Sequence, residues 1–415
     1  MRTIAFWLSL LLIFMISWED MIQLGDLTLA RVTGLLIAGF WLLTVLITGR
    51  FRKPHPFHLA IALFLLWNVG SVFWSVDVDR TTVRLLTYFQ LAGLVLILWD
   101  LFTSSAAVKA GLQAYVLGAY VAAGSIVANY LGGRELFTGR FTATGFNAND
   151  VGLTVALGIP VAWHLAVSEG GSKMIRRLRL ANYIYIPVAV LAIVLTASRG
   201  SLVAAIPAIL FVVMSIPRLR LFQRVVILAA LIAALFQLQS LVPRATLLRL
   251  ATTGSSISQA DLGGRVDIWR QGLTVFSEHP LIGIGSGAFR SAVESGKSPH
   301  NTFLAAMVEV GLIGSALFAV VPAIALYQAM RHPKWDARFW LTILLILALG
   351  NLVHNWVDRK ATWLFLSLII ASANIALRQV QSRLRSGSPV RLFRPPDLSH
   401  APQDGQLLQD FTKPG

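Results

Sequence analysis

The sequence predicts an all-α polytopic membrane protein of about twelve transmembrane helices, and three observations carry that reading. Of its 415 residues 56% are hydrophobic and only 13% are charged, with a mean hydropathy of +0.70, whereas a soluble chain is usually near a quarter charged. Apolar stretches recur at the length of about 20 residues that a bilayer core requires. The Lys and Arg residues between those stretches alternate from loop to loop.

Taken in order, the expected spans are approximately 3–18, 27–48, 57–75, 85–102, 106–131, 151–168, 180–197, 201–217, 221–242, 302–330, 338–357 and 361–378. The first has the basic start and apolar run of a signal peptide, but no small-x-small cleavage site precedes Glu19, so it reads as a retained span. An even number of spans places both termini on one side. That side receives Arg2, Arg50/Arg52/Lys53, Lys109, Lys173/Arg176/Arg177/Arg179, Arg218/Arg220/Arg224, Arg331/Lys334/Arg338 and the basic tail. By the positive-inside rule it is the cytoplasm. Most of the net charge of +16 then faces anionic headgroups and not nucleic acid. Residues 1–378 form the membrane domain, and 243–300 are a periplasmic loop too long for a simple connector. Residues 379–415, with "SGSPVRLFRPPD", read as a disordered basic cytoplasmic tail. The absence of cysteine excludes disulfides and thiolate chemistry.

Sidedness filters the reactive residues. His55, His58, His164, His332 and His400 fall towards the cytoplasm, leaving His279, His300 and His354 towards the outside. Arg199, in "LTASRGSLVA", sits in a three-residue break between two apolar spans, where an ionisable group faces a cavity or partner or else snorkels to the interface. In the long loop Trp269, Leu273 and Phe276 form an i, i+4, i+7 stripe with Arg265 one turn earlier. This is the pattern of a short amphipathic helix able to lie on the membrane surface. Gly283-x-Gly285-x-Gly287 lacks the spacing and strand context of a dinucleotide fingerprint; it reads as a turn, although consecutive N–H groups could also cradle an anion.

The stretch "SPHNTFLAAMVEVGLIG" opens the tenth span. Proline suits a first helical turn, so His300 stands at the external mouth of that span, where an imidazole can act as a base near neutral pH. A continuous helix would put His300 and Glu309 on opposite faces, about 13 Å apart, leaving Glu309 to another partner. Glu19/Asp20 and Asp77/Asp79 are the only external acidic pairs, and no third ligand lies near either in sequence, so no metal is expected.

His300-Asn301, nine residues, Gly311, two residues, Gly314 resembles the pattern of the bacterial O-antigen ligase family. "SRG" between spans, "GRVDIW" in the long loop and "GFNANDVG" at the start of the sixth span resemble the wider superfamily of O-antigen ligases and polymerases. The resemblance implies a GT-C-class glycosyltransferase of the bacterial inner membrane, with a periplasmic active site and no cofactor. Such an enzyme moves a polysaccharide from undecaprenyl diphosphate to an acceptor sugar of the lipid A core in lipopolysaccharide biosynthesis, with inversion and without metal. By position it assigns Arg199 and Arg265 to the diphosphate and His300 to the attacking hydroxyl. It leaves Asn147, Asn149, Asn301 and Trp269 as substrate-binding candidates.

The same features admit an O-antigen or exopolysaccharide polymerase, which differs mainly in acceptor. A transporter or flippase would show repeated halves with broken helices near the midplane of each. The notable polar groups here gather on one side instead, and a membrane scaffold gives no reason for Arg199.

Overall fold

A computed structural model describes residues 1–24, 27–136, 139–168, 177–219, 221, 222, 224, 225, 242–251 and 264–385. The described residues are almost wholly helical. In chain order the helices are α1 (Arg2–Ile16), α2 (Leu29–Thr48), α3 (Pro56–Gly70), α4 (Val78–Leu101), α5 (Ser105–Leu131), α6 (Ala148–Val167), α7 (Arg179–Leu195), α8 (Arg199–Ser215), α9 (Arg244–Ala251), α10 (Arg265–Glu278), α11 (Phe289–Ala292), α12 (Thr302–Met330), α13 (Lys334–Val353) and α14 (Lys360–Arg385). A two-residue antiparallel ladder, Gln23–Leu24 with Leu27–Thr28, leads into α2. Met1–Ile375 form one compact unit; Ala376–Gly415 form a second, of which only the end of α14 lies among the described residues.

Among the described residues nine helices are long and apolar enough to cross a membrane, and α1 and α7 are shorter apolar helices. They coincide with all the expected spans except 221–242, which falls largely outside the described residues, as do much of the loop between α9 and α10 and the tail beyond Arg385. α14 continues seven residues past the expected span end at 378, since "QVQSRLR" is rich in good helix formers. Local chemistry starts the helices. The side chains of Thr28, Asp77, Ser104, Asn147, Ser198 and Asn301 each accept a hydrogen bond from the backbone of the following turn, satisfying donors that a helix leaves open.

α6 is the axis of the bundle, buried along nearly its whole length and packed by α5, α7, α8 and α13. Its small residues let the neighbours approach closely.

The expected uninterrupted rod at 302–330 is broken. Gly311 has φ 65° and ψ −169°, which cuts the helical ladder of α12. The backbone at 280–285 fills the cut. Ile284 and Gly285 N–H groups donate to Val308 and Glu309 carbonyls at 3.1 and 2.9 Å, while Leu312 and Ile313 donate to Pro280 and Leu281 at 2.9 and 3.2 Å. Trp67 Nε1 donates to the Val310 carbonyl at 3.0 Å. Irregular backbone at membrane depth survives only where protein re-satisfies it in this way. A Cβ at Gly311 would lie 2.3 Å from the Leu281 carbonyl oxygen, and one at Gly283 2.5 Å from that of Glu309, so neither site tolerates a side chain. The glycine run is therefore a docking turn, and two of its N–H groups are occupied by α12.

Candidate active site

Two helix starts frame the site. Among the described residues only Ala197 (φ 47°) and His300 (φ 48°) are non-glycine residues with positive φ. Each immediately precedes a capping residue: Ser198 for α8 and Asn301 for α12. Such strain concentrates where a structure must aim a side chain. Here it turns His300 out of the helix direction, so the helical spacing to Glu309 does not apply, and both residues line the same cavity.

His300 is held from two sides. On one, the Trp269 Nε1–H donates to the Pro299 carbonyl at 2.7 Å. Ile268, Phe289, Leu304 and Val308 form a small core beneath it, against which Trp269 and Phe276 pack. α10 thus packs on α12 through two members of the expected membrane-surface stripe, and only Leu273 stays exposed. On the other side, the buried Thr302 hydroxyl lies 2.6 Å from Asn351 Oδ1 and 3.0 Å from the His354 carbonyl, and it accepts from the Trp356 N–H at 2.9 Å. One hydroxyl therefore joins the start of α12 to a second His-Asn segment, His354-Asn355, between α13 and α14.

That second segment is what inspection of the sequence missed. His354, Asn355, Asp358, Arg359 and Lys360 all line the cavity with His300. The signal was present in "VHNWVDRK", a His-Asn pair and three consecutive charges between two apolar runs. Arg359 donates to Asp20 at 3.2 Å and Asp150 at 2.8 Å, Lys360 pairs with Glu19, and Trp356 Nε1 donates to Asp150 at 2.9 Å. Arg84 pairs with Asp358 at 2.9 Å and lies beside Glu309, whose carboxylate also faces the Gly287 and Phe289 N–H groups. Glu309 thereby has its partner. Of the acidic pairs weighed as metal ligands, Glu19/Asp20 neutralise Lys360 and Arg359, and Asp77 pairs with Arg80.

The other expected residues fall as follows. Asn147 caps α6 and lines the cavity. The Asn149 carboxamide oxygen accepts from Arg140 at 2.8 Å, and the Asn301 oxygen accepts the Phe303 and Leu304 N–H groups, both at 3.0 Å. Arg265 starts α10 and donates to the Val353 carbonyl at 3.2 Å. Arg199 is half-buried at the first position of α8 and is not among the cavity-lining residues. Its neighbour Gly200 abuts the same place, because a Cβ there would lie 2.8 Å from Val353 and 3.3 Å from His354 Nε2. α8, α10 and the α13–α14 loop thus meet at Val353-His354.

The cavity has a volume of about 960 Å³. Burial lowers the His300 pKa from its ordinary value; Arg265 and Arg290 push the same way and Asp150 opposes them. Burial brings His354 to about 4, with Asp150 again opposing and Arg265, His300 and Arg359 contributing. Both imidazoles are therefore neutral at pH 7, each with a lone pair. His354 Nε2 is buried without a hydrogen-bond partner among the described residues. Burial also lowers the Arg265 pKa, so a half-buried cation stands near the neutral imidazoles. Arg265, like Arg199, is not among the cavity-lining residues, whereas His300 and His354 share the cavity walls with Arg84, Arg290, Arg359 and Lys360, an arrangement that can accept a proton from a hydroxyl and stabilise developing negative charge.

Comparison with known proteins finds two likenesses. Residues 184–319 match the family model described as O-antigen ligase. The segment includes Arg199, Arg265, His300, Gly311 and Gly314, and it leaves out Asn147 and the 354–360 loop. The chain is also 25% identical over 325 residues to the exopolysaccharide production protein ExoQ of Rhizobium meliloti (strain 1021), an alignment that covers 73% of this chain and 72% of that protein.

Proposed function

We propose that this multi-pass membrane protein, whose residues 184–319 match the O-antigen ligase family model, is a GT-C-class glycosyltransferase that moves a glycan from undecaprenyl diphosphate to an acceptor sugar on the periplasmic face of the inner membrane. The observation that carries this reading is the single cavity in which His300, with Arg265 against its loop, shares walls with Arg84, Arg290, Arg359 and Lys360.

The acceptor hydroxyl attacks the anomeric carbon from the side opposite the diphosphate. The new glycosidic C–O bond forms as the bond to the diphosphate oxygen breaks, so configuration inverts. The hydroxyl proton passes to the neutral His300 imidazole, and the charge left on the diphosphate is stabilised by Arg265 and by Arg199 at the N-terminus of α8. No nucleotide is needed, because the lipid diphosphate is already an activated leaving group. Asn147 on the cavity wall binds donor or acceptor hydroxyls. Trp269 and Asn301 act by holding His300 in place.

For the acceptor, the first reading is a sugar of the lipid A core, which makes the enzyme a ligase. The second is the end of another lipid-linked glycan, which makes it a polymerase; the likeness to ExoQ along most of both chains favours that one. Deletion of the gene separates them. Loss of all glycan from the lipid A core marks a ligase, a core bearing one repeat marks an O-antigen polymerase, and loss of a free exopolysaccharide alone marks a polymerase of that kind. Unchanged surface glycans would overturn the reading.

A further inference from the structure

The turn that mends the break in α12 leads directly into α11, and Arg290 of α11 lines the cavity with His300. Arg80, Arg84, Arg359 and Lys360 of the same cavity each have a carboxylate partner, whereas Arg290 is exposed and in no ion pair among the described residues. Its charge is therefore placed only as firmly as the turn beneath it. Such a turn has no regular ladder, so its N–H groups need individual partners. The Ser286 N–H donates to Ser71 Oγ at 3.2 Å and Ser291 Oγ donates to Asp77 at 2.5 Å, which ties the segment to the connection between α3 and α4. Three alternate N–H groups meet a single residue of α12. That of Gly285 donates to the Glu309 carbonyl at 2.9 Å, and those of Gly287 and Phe289 face the Glu309 carboxylate.

The chemistry of the position asks for this side chain. Glu309 is 5% exposed, and a carboxylate, with lone pairs on two oxygens, can accept from both N–H groups while facing the Arg84 guanidinium beside it. Glutamine offers one acceptor oxygen and would turn its own NH₂ towards donors. Aspartate keeps the charge but withdraws it by one methylene. Neutralising Arg84 does not by itself require Glu309, because Asp358 already pairs with Arg84 at 2.9 Å. Two glycines make the approach possible: Gly285 and Gly287 have φ of 108° and 77°, and a Cβ on Gly287 would lie 3.0 Å from that of Arg84. The Phe289 ring is buried with Ile268, Leu304 and Val308. One helix thus has His300 before its start and, near its break, the carboxylate that fastens the turn bearing Arg290.

We propose that Glu309 is a positioning residue of the transfer reaction: by holding the Gly287 and Phe289 N–H groups it fixes Arg290 relative to His300, so that cation and proton acceptor face one reacting centre. The assignment rests on the transferase reading above. Glu309 acts on Arg290 through the backbone of the turn, and a displacement of about 1 Å at a catalytic centre can cost about 10²-fold in rate.

The test combines hydrogen exchange on the full-length protein in detergent with a double-mutant cycle. Glu309→Gln should speed exchange of the 283–292 amides about tenfold and leave 302–310 unchanged. In membranes of the producing cell, which hold its own donor and acceptor, Glu309→Gln and Arg290→Gln should each lower the initial rate of glycan transfer about 10²-fold. The double variant should be no worse than Arg290→Gln alone, since a residue that acts through Arg290 has nothing left to position. Glu309→Asp takes the place of Glu309→Gln if the latter does not reach the membrane. A double variant slower by the product, about 10⁴-fold, overturns the assignment, as do unchanged exchange at 283–292, parental transfer by Glu309→Gln, or absence of both Glu309 variants from the membrane. Exchange does not depend on turnover. A parent protein that transfers no glycan, with the exchange response intact, refutes the transferase reading, and an active parent whose exchange is indifferent to Glu309 refutes only the positioning role.

Discussion

The chain contains two His-Asn segments, and the contrast between them shows what helix position does to one dipeptide. His300-Asn301 lies before a helix. Its asparagine caps α12, and its histidine takes a left-handed conformation that turns it into the cavity, half-buried. His354-Asn355 lies after a helix. There the histidine is the extended C-cap of α13, 3% exposed, with Nε2 against the start of α8. The first imidazole is half-buried on the cavity wall, and the second is wedged where three elements meet. Thr302 makes them one structure, since the same hydroxyl contacts both segments.

The largest expected effect breaks that contrast at its reactive side. His300→Ala should lower glycan transfer by roughly 10³-fold, in the range of general base catalysis, with membrane level unchanged by immunoblot. Normal transfer would reduce His300 to a structural role. Arg265→Gln should cost about 10²-fold in turnover and also move the pH profile. Arg265 helps to lower the His300 pKa, and the active form is the neutral imidazole present above that pKa. The acidic limb of kcat/KM should therefore lie below pH 6.5, the ordinary histidine value, in the parent and shift upward in the variant. An unmoved limb would separate the two groups.

His354→Ala should cost less, about tenfold in kcat/KM, because the second imidazole is enclosed by protein. A loss equal to that of His300→Ala would show that the pair acts as a unit and erase the distinction. Thr302→Val should destabilise the protein by about 1–3 kcal/mol, the usual cost of stranding buried partners, here Asn351 Oδ1 and the Trp356 N–H, as measured by the thermal midpoint in detergent. Smallest of all, EDTA should leave transfer unchanged. Abolition rescued by a divalent ion would bring Asp77 and Asp79 back as ligands.

Much of the membrane architecture was legible because hydropathy and charge are local. Arg2, Arg52 and Lys53 betray a loop without reference to anything distant, and Ser198 and Asn301 announce helix starts by their own side chains. Arg265 and His300 could be singled out for the same reason, each being a polar residue at the start of a helix outside the apolar runs. The 354–360 loop was passed over because its charges were weighed by side of the membrane and not by partner. Glu309 looked anomalous because its neutralising Arg84 is 225 positions earlier in the chain.

What the sequence by itself determined was the material: apolar helices of membrane length, capped starts, a polar loop before α12, and glycines at positions 311 and 314. Windows of about 20 residues suffice for that, because burial in lipid depends on the summed apolarity of a segment. Only the tertiary structure decided that α12 breaks at Gly311, that residues 280–285 mend the break, and that His300, His354 and Glu309 share one cavity. Those outcomes depend on backbone angles and on hydrogen bonds between residues far apart in sequence. A periodic pattern read along one helix contains no information about either.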